Sequence, residues 1–226
     1  MIKILNYTTK EPITMIGEMA GICYNANTTS PEKNYKRGLD CIISDHGRTL
    51  EFPKVYLLID EYSAKALRDL YTHIVDATRL QASTRYIEYG DFNYITPPTI
   101  AGNSEAKDIF DSTISTIKTA IQKLEEMGIP KEDSSNLLPL CYESKMVAVY
   151  GLRELMAMSR VRMCGRAYWE VRNIMRELNS QLAAYSSEWD TLINELNVLH
   201  AKCKDFGYCK EKFSCGLMPK KENKNA

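Results

Sequence analysis

The stretch from Tyr71 to Pro98 reads YTHIVDATRLQASTRYIEYGDFNYITPP, and the rest of the chain is interpreted around it. It continues a helical pattern and ends in a pair of prolines. An unpaired polar group out of water costs ~1–3 kcal/mol, so a buried core helix would not carry a dense run of hydrogen-bond donors. The donors that define this run are His73, Arg79, Gln81, Ser83, Thr84 and Arg85.

Two interpretations account for this run of donors. Guanidinium groups, hydroxyls and backbone N–H groups pair well with an anion, which would make the stretch a pocket for a phosphate and a base. The alternative is a polar loop that closes a helix. The spacing of the residues leaves both interpretations open.

Composition sets the broad class of the protein. The 226 residues include 44% apolar and 26% charged residues, which is typical of a globular protein. Basic and acidic residues number 29 each, so no overall charge favours nucleic acid or a membrane as a partner. The opening run Met1–Tyr7 is too short for a secretion signal, and no run reaches the ~18 apolar residues of a membrane span. With seven cysteines, an odd number, reduced thiols in the cytoplasm are the simpler expectation.

Hydrophobic periodicity predicts an α+β fold, with strands early in the chain and helices late. Residues 2–7 are predicted as an edge strand, and the apolar run over 52–59 as a buried central strand. The predicted helices cover residues 13–24, 35–44, 63–75, 104–127, 144–162 and 165–185. We predict a single domain over residues 1–190, with a small central sheet covered by several helices. A cysteine-containing tail is predicted over residues 191–226.

Arginines are concentrated in the last two predicted helices of this domain. Residues 153–176 contain six arginines, two glutamates and no lysine. Arginine without lysine favours planar, bidentate recognition of a phosphate or a base edge. Contacts between subunits are also rich in arginine, so the alternative that these helices form a subunit contact stays open.

Common cofactor motifs are absent from the sequence. It has no Gly-x-Gly-x-x-Gly segment and no Walker loop, which are the usual cradles for dinucleotides and triphosphates. A Gly-x-Ser-x-Gly nucleophile elbow is also missing. A flavin, if bound, would therefore need a different kind of pocket.

The tail offers a weak set of metal ligands. His200, Cys203, Cys209 and Cys215 are residue types that bind zinc, but no Cys-x-x-Cys pair is present among them. The sequence therefore predicts no metal site, with these four residues as weak candidates and reduced surface cysteines as the alternative.

Two motifs make the chain resemble the flavin-dependent (alternative) thymidylate synthases. The segment from Gln81 to Tyr86, Gln-Ala-Ser-Thr-Arg-Tyr, is similar to the serine-arginine-tyrosine segment of that family. The segment from Arg162 to Arg172 is similar to its late arginine followed by an Ala-Gln-Trp-Glu-Ile helix. Leu138-Pro139-Leu140 resembles the Leu-Pro-Leu turn of the family, and the order of elements matches over residues 1–190.

The chain departs from the family at its Arg-His-Arg signature. Thr72-His73-Ile74 stands in that place, so both flanking arginines are missing. Eight residues separate Ile74 from Ser83, one more than in the signature. Arg79 is the candidate that replaces a lost charge.

The resemblance implies a reaction and a set of partners. FAD is reduced by NADPH, takes a one-carbon unit from methylenetetrahydrofolate and delivers it to dUMP, which becomes dTMP. The implied enzyme is a cytoplasmic homotetramer whose active site is shared between subunits. Two alternatives remain: a sister enzyme acting on another pyrimidine nucleotide, and a non-catalytic nucleotide-binding homologue.

The resemblance also implies roles for individual residues. Arg162 is the expected catalytic residue, because a guanidinium beside the uracil ring stabilises developing negative charge. The residues expected to bind dUMP are Gln81, Ser83, Thr84, Arg85, Lys145 and Arg162. The residues expected to bind FAD are Arg48, Glu51, His73, Arg79, Arg153 and Arg166.

Overall fold

The computed structural model of the chain describes residues 1–221. In this range the strands are β1 (Ile2–Ile4), β2 (Lys54–Ser63), β3 (Ala77–Gln81) and β4 (Glu143–Gly151). The α-helices are α1 (Pro12–Cys23), α2 (Pro31–Ile43), α3 (Ala64–Leu70), α4 (Pro98–Ala101), α5 (Ser104–Glu126), α6 (Lys131–Ser134), α7 (Leu152–Arg162), α8 (Trp169–Tyr185), α9 (Ser187–Asp190) and α10 (Cys203–Phe206). Short 3-10 helices cover Thr49–Glu51 and Ser135–Leu137, and a π-helical segment covers Thr191–Glu195.

The four strands form one sheet in the order β1-β2-β4-β3. Strand β1 is antiparallel to β2, with Ile2 opposite Ile59 and Ile4 opposite Leu57. Strand β1 therefore lies at an edge and β2 in the interior, as the sequence predicted. Alternate residues of β2 are buried from Val55 to Ile59, which fixes the register because a slip of one residue would expose them.

Two predicted helices are wrong in part. The helix predicted over residues 144–162 begins only at Leu152, because Glu143–Gly151 forms strand β4. In β4 alternate side chains from Ser144 to Tyr150 are buried, which is the period of a strand. The helix predicted over residues 63–75 ends at Leu70, and residues 77–81 pair in the sheet as β3.

The chain divides into two compact units. The first contains Met1–Ile59, Leu70–Arg79 and the described chain from Val147 onward, and the second contains Asp60–Asp69 and Leu80–Met146. Of the predicted tail, residues 222–226 lie outside the described residues. Within residues 1–221, no helix combines the length and the apolar character that crossing a membrane requires.

In the first unit, α1 and α2 pack backbone to backbone. A Cβ atom on Gly17 would lie 1.8 Å from the carbonyl oxygen of Asn34, and one on Gly38 would lie 1.9 Å from that of Ile13. Real Cβ atoms do not come so close, so both positions require glycine. The two glycines therefore set the close approach of α1 and α2.

A carboxylate from the C-terminal part of the chain caps α1. Oε2 of Glu188 accepts hydrogen bonds from the backbone N–H groups of Ile13 (2.7 Å) and Thr14 (3.0 Å), and Oε1 accepts one from the Thr14 hydroxyl. The first N–H groups of a helix have no partner within the helix. Glu188 is buried, and these bonds satisfy it while they fix the start of α1.

The second unit has its own aromatic core. Ala64, Tyr89, Phe92 and Tyr142 pack with Ile114 and Ile121 of the long helix α5. The rings of Tyr89 and Tyr142 meet edge to face, with centroids 5.5 Å apart, which is a favourable arrangement. This core holds the segment that follows β3 and contains Ser83 and Arg85.

Candidate functional site

Arg162, the predicted catalytic residue, is held by the segment that replaces the Arg-His-Arg signature. Its Nε donates to Nε2 of His73 at 3.0 Å, and its Nη2 donates to the Thr72 hydroxyl at 2.7 Å. Arg162 is the last residue of α7, and Thr72 and His73 follow α3. Two donors of one planar group are thus oriented at once, which a lysine could not reproduce.

Glu154 lies on the other side of the His73 ring. Its Oε1 is 3.7 Å from Nδ1 of His73, which is longer than a hydrogen bond and acts as an electrostatic contact. Because Nε2 of His73 accepts from Arg162, the proton of a neutral ring belongs on Nδ1, facing the carboxylate. Burial raises the pKa of Glu154, the charge of Asp76 raises it further, and Arg79 partly offsets both.

Arg79 is used to close the end of α3. Its Nη1 donates to the backbone carbonyl of Leu70 at 3.0 Å and also to that of His73. The guanidinium carbon lies 4.7 Å from the centre of the Tyr71 ring, a cation–π contact. Arg79 therefore fixes the backbone that carries His73, and its predicted role at FAD stays a prediction.

Tyr150 adds a buried hydroxyl near this group. Its side chain is 1% exposed, and its oxygen has no hydrogen-bond partner among the residues described. Burial raises the pKa of Tyr150 to about 12, although Arg79 opposes the shift. Arg79 therefore interacts with this hydroxyl, which is closed off from solvent.

Three of the residues predicted for FAD form an ion-pair cluster. Arg153 contacts Glu51 at 2.5 Å (Nη1 to Oε1), and Arg48 contacts the same carboxylate at 3.5 Å (Nη1 to Oε2). The Arg153 guanidinium lies against Gly47, where a Cβ atom would be 3.1 Å from its central carbon. Both arginines are more than half exposed, so an anion can reach them.

Arg166 has a separate partner in the first unit. Its Nη1 pairs with Glu211, and both side chains are about half exposed. No contact with the other predicted FAD residues is seen for it in the described part of the chain. The sequence had grouped it with Arg153, and the structure does not bring these two together.

The residues predicted to bind the dUMP phosphate lie in the second unit. The backbone N–H of Ala82 donates to the carbonyl of Lys145 at 2.9 Å, and the Gln81 amide donates to the Ser144 hydroxyl at 3.2 Å. These bonds place the Ser83 segment beside β4. Lys145 Nζ is 3.7 Å from Asp60, with its side chain 61% exposed.

Ser83, Thr84 and Arg85 form a turn after β3. The Ser83 hydroxyl accepts from the backbone N–H of Arg85 at 3.1 Å. Arg85 is 63% exposed and donates from Nε to Glu132 at 2.9 Å. An exposed arginine can exchange such a carboxylate for a phosphate at small cost, because exposed ion pairs contribute ~0–1 kcal/mol.

His200 is held within the tail by two partners. Its Nε2 contacts Asp205 at 2.6 Å, and its Nδ1 contacts the carbonyl of Asn197 at 2.5 Å. Within residues 1–221, no three histidine, cysteine, aspartate or glutamate side chains are placed to hold a metal ion as they stand. The weak candidates His200, Cys203, Cys209 and Cys215 stay a prediction of the sequence.

The structure thus brings most of the predicted residues together in three groups. The first is Arg162 with His73 and Arg79, and the second is Arg48, Glu51 and Arg153. The third is the turn of Ser83, Thr84 and Arg85 with Gln81 and Lys145. Sequence analysis missed Thr72 and Glu154, which contact Arg162 and His73. A signal for Glu154 existed, because it lies eight positions before Arg162 on the same helix, about two turns away. The helix predicted over residues 144–162 already contained both residues, but the spacing alone does not show that Glu154 contacts His73.

The fold is that of the flavin-dependent thymidylate synthases. The crystal structure of thymidylate synthase X from Helicobacter pylori with FAD and dUMP matches with a TM-score of 0.67 at 16% identity. The match covers 86% of this chain and 99% of that chain. At this identity the match establishes the fold, and it confirms the predicted α+β class.

Sequence comparison gives the family. A family model described as thymidylate synthase complementing protein matches residues 3–185, and the chain therefore belongs to that family. Flavin-dependent thymidylate synthases of Nitratidesulfovibrio vulgaris and Pyrococcus abyssi are 25% and 29% identical. The alignments cover 95% and 96% of this chain, and 94% and 91% of those proteins. The predicted family and enzyme class are confirmed.

Proposed function

We propose that the protein is a flavin-dependent thymidylate synthase that converts dUMP to dTMP. FAD is the bound cofactor, and methylenetetrahydrofolate and NADPH are the co-substrates. Support comes from the family, from relatives named for this activity, and from a structural neighbour solved with FAD and dUMP. The observation that carries the proposal is the double hydrogen bond that orients Arg162 against Thr72 and His73.

The role of Arg162 follows from its chemistry. Negative charge develops on the pyrimidine ring during attack at C5, and a fixed guanidinium stabilises it without reorganisation. His73 accepts from Nε and Thr72 accepts from Nη2, so two nitrogens of the Arg162 guanidinium are oriented by protein acceptors. Glu154 keeps the proton of His73 on Nδ1, so that Nε2 remains an acceptor.

The dUMP phosphate binds to the turn in the second unit. Ser83, Thr84 and Arg85 supply hydroxyl, backbone and guanidinium donors, and Lys145 adds an exposed charge beside them. Gln81, anchored on Ser144, positions this turn. In the homotetramer that we propose, one subunit supplies the phosphate site and another supplies Arg162.

The residues present fit a flavin dinucleotide. Arg48 and Arg153 are exposed and share Glu51, so a pyrophosphate can pair with them without leaving a buried charge. Ile74 and Val75, directly after His73, are 72% and 70% exposed and offer apolar surface to an aromatic ring. When bound, the flavin supplies the redox chemistry of the reaction.

Self-association is part of the proposal. Large apolar side chains are exposed on several helices, including Ile22, Ile43 and Ile109, and exposed apolar patches often mark contacts between subunits. None of the seven cysteines forms a disulfide, which is consistent with a protein that functions in the reducing cytoplasm. Static light scattering tests the homotetramer.

One experiment tests the function and its alternatives. The purified protein is examined for a flavin spectrum, and dTMP formation from dUMP is measured with FAD, NADPH and methylenetetrahydrofolate. Arg162→Ala is expected to abolish dTMP formation, whereas Arg176→Ala, an exposed arginine that contacts Asn173, is expected to retain it.

Other outcomes would reject the proposal in different ways. A yellow protein that binds another pyrimidine nucleotide more tightly than dUMP would establish the sister enzyme, which the altered Thr72-His73-Ile74 segment motivates. A protein that binds dUMP but no flavin would be the non-catalytic homologue.

A further inference from the structure

Four of the seven cysteines surround one pocket in the first unit. The pocket has a volume of about 480 Å³, and Cys164, Cys203, Cys209 and Cys215 all line it. Cys164 lies between α7 and α8, and the other three lie in the tail. The proposed reaction uses none of these thiols.

The thiols are close neighbours. Sγ of Cys215 lies 2.7 Å from the place that a Cβ atom of Gly165 would occupy, so Cys215 packs onto the residue after Cys164. Cys203 and Cys209 line the same pocket as these two residues.

The tail that carries three of these cysteines has almost no core. Between Lys202 and Lys221, Cys209 is the one buried residue, and a single helical turn, α10, is the regular structure. Phe213 is 71% exposed. Small segments that bury so little apolar surface are commonly held by a metal ion or by disulfides. None of the seven cysteines forms a disulfide in the structure, so a metal ion is the candidate that would hold this segment.

The charges around the pocket favour a thiolate cluster. Arg160, Arg162, Arg166, Lys202 and Lys210 line it. Four thiolates around Zn²⁺ carry a net charge of about −2, which these cations would stabilise. Asp205 and Glu211 neutralise part of the positive charge, through Arg160 at 3.2 Å and through Arg166.

We propose that Cys164, Cys203, Cys209 and Cys215 bind a structural Zn²⁺ ion as four thiolate ligands. Each thiol loses its proton to solvent as its sulfur binds the ion, so there is no change in oxidation state. This set replaces His200, whose ring is held by Asp205 and Asn197. The inference does not depend on the proposed thymidylate synthase activity.

Binding requires the tail to close around the ion. No three candidate ligands of the described chain are near enough to one another to hold a metal as they stand. As far as Lys221, the segment after α10 contains no helix or strand, so its closure would break few backbone hydrogen bonds. Zinc would draw the four sulfurs to ~2.3 Å from the ion.

Metal content and thiol protection test the proposal in the full-length chain. The wild-type protein, purified without chelator, is expected to contain about one zinc ion per chain by mass spectrometry of the metal. Native alkylation followed by peptide mass spectrometry is expected to label the exposed Cys23 and to spare the four ligands. Stripping with a chelator and adding Zn²⁺ back should restore protection and release about four protons per ion.

Variants distinguish this ligand set from incidental binding. Cys209→Ser is expected to lower the zinc content at least about tenfold, because one of four ligands is lost. Cys215→Ser, at an exposed position, is a second variant in case the first does not fold. Cys23→Ser is the matched control and His200→Gln tests the other set; both should keep full zinc.

Three results would overturn the proposal: a metal-free protein that takes up no Zn²⁺, disulfides among the four cysteines, or full zinc in both tail variants.

Discussion

Replacement of His73 tests how much the orientation of Arg162 contributes to catalysis. His73→Ala removes the acceptor of Arg162 Nε, a bond of 3.0 Å to a ring that is 15% exposed. A hydrogen bond to a charged group contributes ~1.5–3 kcal/mol when it is largely protected from water. Since 1.36 kcal/mol corresponds to a tenfold change in rate, we expect kcat/KM for dTMP formation to fall about 10- to 100-fold.

A second substitution distinguishes the loss of Arg162 orientation from the loss of packing by the His73 side chain. His73→Gln places an amide oxygen near the position of Nε2, so it can still accept from Arg162 Nε. We expect it to recover most of the activity, with a loss below about tenfold. Initial rates of dTMP formation with saturating FAD provide the assay, and thermal unfolding of each variant provides the control for folding. His200→Gln, at a histidine bound to Asp205, should change neither.

The reasoning would be refuted if His73→Ala and His73→Gln lost the same activity while both stayed folded. Equal losses would mean that the imidazole acts through something other than acceptance from Arg162. An unchanged rate in His73→Ala would show that Arg162 needs no such partner.

Three further predictions concern Arg162, Gly17 and Glu154. Arg162→Lys keeps the charge but loses both oriented donors, and kcat should fall about 100-fold with a smaller change in KM, measured by steady-state kinetics; an unchanged kcat would contradict it. Gly17→Ala places a Cβ atom 1.8 Å from the carbonyl of Asn34 and should lower the free energy of unfolding by about 1–3 kcal/mol in urea, whereas Lys36→Ala, with a side chain that is 72% exposed, should change it little. Because the pKa of Glu154 is raised above 4.5, the folded protein loses stability as pH rises from 4.5 through the folded-state pKa. Glu154→Gln should therefore gain stability relative to wild type across that window. Urea unfolding between about pH 4 and 7 tests this, and a pH-independent difference between the two proteins would disprove it.

The sequence predicted correctly those elements whose hydrophobic pattern matches their secondary structure. The apolar run of β2 was readable because this strand is interior and its neighbours are buried. Strand β4 was misread because residues 143–148, Glu-Ser-Lys-Met-Val-Ala, include several good helix formers. Its period of two, with Met146, Ala148 and Tyr150 buried, was nevertheless present. Strand β3 is a polar edge strand, and its pairing with β4 is a tertiary contact that local sequence does not encode.

The same limit applies to the site. Resemblance to the family singled out Arg162 and His73, but nothing in their spacing shows that they bond to each other. Loss of the flanking arginines suggested a charge deficit that Arg79 would replace. In the structure Arg79 closes the end of α3, and the Thr72 hydroxyl lies beside Arg162. The segment that stands in place of the signature therefore supplies two hydrogen-bond acceptors to the predicted catalytic guanidinium.

Arg162 connects this site to the cysteine pocket. It ends α7, and the chain reaches Cys164 two residues later, so Arg162 both lines the cysteine pocket and contacts His73. The last turn of a helix frays unless something holds it. The His73 ring holds one side of this end, and a metal at Cys164 would hold the chain that leaves it. Precise placement of a catalytic group depends on the residues that support it. A zinc-bound tail would thus stabilise the end of α7, which carries Arg162, in a chain that lacks the two arginines of the family signature.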